Sequence, residues 1–159
     1  MARALAGLFE ASALVAGDDF FAFIDRSFVP PWTTEAHHQN KIVIEAAAAA
    51  AGRLAAGGYT VVYDGVLGPW FLESFGEATG LAAFHYVMLL PPEKECVERV
   101  RSRVGHDFSD LEAARHVYQE FAASDIDDRH VVRSTEAADA IASSLGELMG
   151  NRTLLWTID

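Results

Sequence analysis

The spacing of apolar positions alternates along the chain between a helical and an extended period. Leu5, Leu8 and Phe9 stand at i, i+3 and i+4, which predicts an amphipathic helix at the outset. Residues 12–16 form a short apolar run that stops at Gly17-Asp18-Asp19, the pattern of a buried strand breaking into a polar loop. Pro30-Pro31 punctuate the chain, and Thr33 follows as an expected N-cap with Glu35 in the first turn. A long alanine-rich helix is predicted from there to about Ala56, with Gly57-Gly58 as its stop. The alanines at 46–51 lie inside that capped segment, so they read as a face packed closely on a sheet rather than as low-complexity chain.

Residues 59–63 are β-branched and aromatic, a buried strand that stops at Asp64-Gly65. A second such run, 84–90, ends at Pro91-Pro92. A charged helix is expected from 93 to about 104, another over 111–123, a short strand at 129–133 and a long helix at 135–149 closed by Gly150-Asn151. Residues 153–158 add a possible terminal strand. Strands alternating with helices of this length predict βαβ units and a mostly parallel sheet, an α/β fold. Neither an internal repeat nor a linker divides the chain, so 1–159 is expected to be one domain.

Composition narrows the class. With 159 residues, 51% of them hydrophobic, the chain can bury a substantial core. Its formal charge is 12 − 23 = −11, which repels a phosphate backbone and argues against nucleic-acid binding. Cys96 is the single cysteine, so an internal disulfide is ruled out and a reducing compartment fits. No apolar run approaches the ~20 residues of a membrane helix, and the first residues lack a signal-peptide pattern. The expectation is a cytoplasmic protein, monomer or homodimer, with no membrane and no nucleic-acid partner.

Two acidic signals follow successive predicted strands: Gly17-Asp18-Asp19-Phe20-Phe21 and Tyr63-Asp64-Gly65. Ligands of parallel sheets bind beyond the carboxyl ends of the strands. A carboxylate held there can ligate a magnesium–water shell or accept a hydroxyl proton. The plainer account makes Asp18 a helix cap and Asp64 a turn residue. A third signal is the segment Glu98-Arg-Val-Arg-Ser-Arg-Val-Gly-His106. Arg99 and Arg103 share one helix face at i, i+4 and suit a clamp on phosphate oxygens, while surface pairing with Glu95 and Glu98 is the alternative.

The order of these segments resembles the small P-loop kinases, among them the gluconate, shikimate and adenylate kinases and the chloramphenicol phosphotransferases. Val61-Val-Tyr-Asp-Gly65 is similar to their second nucleotide-binding motif, Gly17-Asp-Asp-Phe-Phe21 to the segment after their second strand, and Arg99 to Phe108 to a gluconate-kinase lid. The resemblance runs to about Ile141. It implies a three-layer α/β/α P-loop kinase-like fold and an ATP-dependent phosphotransferase acting on a hydroxyl of a small-molecule acceptor. Asp18 would orient or deprotonate the acceptor, Asp64 would serve Mg2+ through water, and Arg99 and Arg103 would cover the transferring phosphate. Asp19, Trp32, Gln39, Asn40 and Trp70 would line the acceptor pocket. Cofactors would be ATP and Mg2+.

One departure is large. The family's phosphate-binding loop, G-x-x-x-x-G-K-[ST], joins its first, central strand to its first helix, and this chain contains no such motif. Three accounts compete: an internal methionine recorded as the start, a fragment, or a degenerate form in which 153–158 fills the vacant strand position. A catalytically inactive relative that only binds a small ligand or protein partner is the rival reading. His37-His38 diverge by ~100° on a helix and lack zinc-pair spacing. Cys96 reads as a packed thiol. Ser27, Ser74 and Ser109 lack a nucleophile-elbow context.

Overall fold

The two apolar runs that lead into acids form a ladder of five residue pairs. In this computed structural model, which describes residues 1–102 and 110–158, Ser12–Ala16 (β1) and Thr60–Asp64 (β2) pair in parallel, with Ala16 opposite Asp64. Ahead of them Ala2–Ala6 (α1) is shorter than its spacing predicts. It stops at Gly7, and Leu8 is left 51% exposed.

Between β1 and β2 lies the alanine-rich helix His37–Ala56 (α2), entered through a 3-10 turn, Thr34–Ala36. Thr33 occupies the N-cap position of that turn but does not cap it through its side chain. Its hydroxyl donates to the Pro30 carbonyl instead. After β2 comes a helix the pattern did not predict, Leu72–Thr79 (α3), closed by Gly80 at φ 67°. The two helices meet where a Cβ on Gly52 would lie 2.7 Å from the Thr79 carbonyl carbon. That approach demands a glycine, and it explains why the neighbouring positions Ala47, Ala48 and Ala51 are small and buried.

The expected strand at 84–90 is interrupted. Ala83–His85 (β3) and Met88–Leu89 (β4) flank Tyr86 and Val87. The charged segment forms Glu93–Ser102 (α4), and Leu111–Ala122 (α5) follows, its N-terminus capped by the Asp110 carboxylate accepting from the Glu112 and Ala113 amides. Val131–Val132 (β5) is shorter than predicted, and Ala138–Gly150 (α6) begins three residues late. β4 pairs with β5 in parallel, whereas β3 pairs antiparallel with the terminal strand Leu155–Thr157 (β6).

The predicted single sheet is therefore three two-stranded pairings among the described residues: β1–β2, β4–β5 and β3–β6. The terminal strand does not take the position between β2 and β4. The Tyr86 amide donates to Leu154 at 2.9 Å, and its carbonyl receives His130 Nδ1 at 2.9 Å. Both backbone groups of one residue point to one side of a strand, so β5 and β6 share an edge.

Two apolar clusters cover the strands. One gathers Ile44, Ala48, Leu72, Phe75, Tyr86 and Met88, with Tyr63 packed against it. The other gathers Ala2, Leu5, Val62, Ile141, Leu145 and Leu154. Neighbouring Val62 and Tyr63 join opposite clusters, as the two-residue period of a strand requires. Helices α2 and α3 thus pack on one side, and α1 and α6 on the other, in a mixed α/β fold. Among the described residues, no helix is long and apolar enough to cross a membrane.

Candidate functional site

Parallel pairing in register fixes both acids at one end. Because Ala16 lies opposite Asp64, Asp18 leaves β1 at the level where Asp64 closes β2. Asp18 sits in a 3-10 turn, Gly17–Phe23, and its Oδ1 accepts the Val66 amide at 3.4 Å.

Between the acids stands a residue that sequence reasoning passed over. Tyr63 packs its ring edge-on to Phe75, centroids 4.9 Å apart, and carries its phenol to the end of the strands. There it rests on two glycines. A Cβ on Gly65 would lie 3.0 Å from the hydroxyl, and one on Gly17 would overlap the ring. Burial drives the phenol far above its ordinary pKa, and the charges of Asp18 and Asp64 push the same way. The hydroxyl therefore keeps its proton at neutral pH and offers a donor beside two carboxylates. A tyrosine set between a strand's valines and Asp-Gly, with glycine also ending the partner strand, was the signal available.

The acids open on a cavity of about 1250 Å³. Its wall at this end is aromatic: Phe21, Phe28, Trp32, Trp70 and Phe71. Phe21 and Phe28 meet edge-on at 6.5 Å, and Trp70 does the same with Phe121 at 5.2 Å. Two adjacent residues of α2 fix the loop that carries Phe28 and Trp32. Gln39 accepts the Val29 amide at 2.9 Å and donates to its carbonyl at 2.6 Å, while Asn40 Nδ2 donates to the Pro31 carbonyl at 2.7 Å. Asn40 Oδ1 is buried without a hydrogen-bond partner, and so is Nδ1 of His85 deeper in the cavity lining. Burial, then the Arg152 charge, lowers the pKa of His85.

Of the residues singled out from sequence, Asp18, Asp64, Trp32, Asn40 and Trp70 line this one cavity. Asp19 is exposed beside it, and Gln39 is engaged in holding Val29. Arg99 is exposed on α4 and does not line the cavity, although Cys96 and Val100 of the same helix do. Arg101 forms an exposed ion pair with Glu98. Arg103, His106 and Ser109 lie outside the described residues. His37 is exposed, tilted 30° over the Phe71 ring. Burial pushes the Cys96 thiol up, consistent with packing rather than with a nucleophile.

Among the described residues no group of three or more His, Cys, Asp or Glu side chains is placed to hold a metal ion. Asp18 and Asp64 are the two sequence-predicted carboxylates that line the cavity. The triphosphate of a nucleotide fits poorly. Neither lysine lines the cavity: Lys41 pairs with Glu45, and Lys94 lies on a separate depression with Arg115. No protein-family model matches the chain, and no curated protein sequence matches it.

Proposed function

We propose that this chain carries the acceptor and magnesium side of an ATP-dependent phosphotransferase of the P-loop kinase type, acting on a hydroxyl of a small molecule. One observation carries the reading. Two carboxylates from successive parallel strands stand at one end of the pair, at the mouth of an aromatic-walled cavity. Helices on both sides of the strands, and a gap where the family has its central strand, support the three-layer form of that fold.

In this reading Asp18 accepts the proton of the acceptor hydroxyl, and Asp64 holds the water shell of the magnesium ion. Tyr63 donates between them and keeps the two carboxylates apart in role. Trp32 and Trp70 position the acceptor by excluding water from its apolar surface. The bound nucleotide would supply the phosphoryl group, but this chain offers no lysine for its phosphates. That lack favours the second reading, an inactive relative that binds only a small ligand or partner.

The discriminating experiment joins a G-x-x-x-x-G-K-S segment ahead of Met1 and measures phosphoryl transfer from ATP to a panel of small alcohols. Transfer that falls by about 10²–10⁴ in kcat in Asp18→Asn supports the enzyme, as loss of a general base predicts. Transfer at full rate in that variant removes Asp18 from the chemistry. No transfer to any alcohol, with ligand binding retained, favours the inactive relative.

A further inference from the structure

The charges around the aromatic-walled cavity are of one sign. Among the described residues its lining carries three carboxylates, Asp18, Asp64 and Glu120, and no lysine or arginine side chain. Its imidazoles are His37, His85 and His116, and burial disfavours the charged form of His85. Glu120 belongs to α5, next to Phe121, whose ring meets Trp70 edge-on at 5.2 Å. A third acid thus borders the aromatic wall from an element remote in sequence from the other two. His116 answers it only in part, since the pair stands 3.6 Å apart and exposed on both sides, where solvent screens it. The orphaned atom beside Pro31 is an acceptor as well. Asn40 Oδ1 is buried without a hydrogen-bond partner, its Nδ2 having gone to the Pro31 carbonyl.

Aromatic faces and carboxylates favour the same ligand. The face of an indole or phenyl ring is negative and attracts a cation, most strongly where water is excluded. Trp70 is fixed in place for such a contact. Its ring lies over Gly68, where a Cβ would stand 2.7 Å from Cη2, and 47% of the residue remains open. An apolar wall also concentrates the field of nearby acids within a cleft. That field is felt at the strand ends, where Asp18 and Asp64 raise the pKa of Tyr63 beyond the effect of burial. The formal charge of −11 draws cations to the chain and repels anions.

We propose that the cavity takes a cationic alcohol, a small molecule that carries an ammonium group and a hydroxyl on an apolar or aromatic body. This names the ligand class of the same cavity and rests on its reading as a small-molecule site, which the kinase and the inactive relative share. Phosphoryl transfer is not required. Where transfer occurs, magnesium would offset Asp64, and Asp18 and Glu120 would still carry their charges.

The test uses three probes that differ in one group: phenylethanolamine, its neutral counterpart styrene glycol and its anionic counterpart β-hydroxy-β-phenylpropionate. Each is titrated without magnesium into the 159-residue chain, and its dissociation constant is read from shifts of the indole N–H signals. The amine should bind about 10-fold or more tighter than the glycol, and the acid should bind weakest. Glu120→Gln and Trp70→Leu should each lower the amine-to-glycol preference by about 3-fold. Because a ratio is read, a general loss of stability does not imitate the effect. Glycol or acid binding as tightly as the amine overturns the inference and leaves the small-molecule reading standing. No binding by any of the three, up to their solubility, overturns the inference together with that reading. A preference unchanged by both substitutions also overturns it, because the charge is then sensed outside the cavity.

Discussion

The ring of Tyr63 lies against the backbone of Gly17, so close that a Cβ there would stand 2.7 Å from the ring's Cε2. Gly17 also begins the turn that carries Asp18. The strand end, the phenol and the carboxylate are therefore set by one contact. Gly17→Ala should destabilise the fold by about 1–3 kcal/mol, the range for overpacking a closed site. Urea unfolding of the variant against the parent checks this, and an unchanged midpoint would mean that the ring swings clear at no cost.

Gln39 makes both of its described hydrogen bonds to a single residue, Val29. Gln39→Ala leaves an amide and a carbonyl without these partners and should cost about 1–3 kcal/mol. Exchange of the Val29 amide should quicken more than that of β2. Equal changes at both places would show a global loss of stability instead of a loosened loop.

His85 gives a pH dependence whose sign follows from its lowered pKa. Folding disfavours the protonated ring, so the contribution of this residue is complete above the unfolded value of about 6.5. It is lost as pH falls from there through the folded value. The urea midpoint of the parent should drop between about pH 7 and pH 5 more steeply than that of His85→Gln, which cannot titrate. Parallel curves for the two proteins would show that this imidazole is freely solvated in both states.

Magnesium–ATP should bind the 159-residue chain more weakly than about 1 mM. The reason is the absence of any lysine from the cavity lining. Calorimetry with a micromolar constant would show that other cations, the arginines of α4 among them, hold the phosphates.

What could be read from the sequence follows from the range of the forces involved. β1 matched its predicted bounds, α2 ended where its glycines stand, and β2 shifted by one residue. Each is marked by local apolar runs and by the residues that stop them. The helix α3 was missed although Leu72, Phe75 and Gly76 carry helical spacing. The preceding Gly68-Pro69-Trp70-Phe71 reads as pocket lining and masks its start. The break at Tyr86 and the antiparallel seat of β6 depend on partners dozens of residues away, which no local pattern reports. At the site, the positions of Asp18 and Asp64 were legible because strand ends are local features. The part played by Tyr63 was not, because its meaning lies in two glycines that follow different strands.

Tyr86 also decides how the chain can reach its final form. Its amide, carbonyl and hydroxyl are taken by Leu154, His130 and Leu67 respectively. The last two lie 44 and 19 residues away along the chain. None of these partners is a sequence neighbour, so this residue gains its bonds only after three distant stretches have closed upon it. Such long loops are slow to close. The second half of the fold should therefore lock in a late, concerted step, and a chain cut before residue 154 should be left with an open seam at its centre.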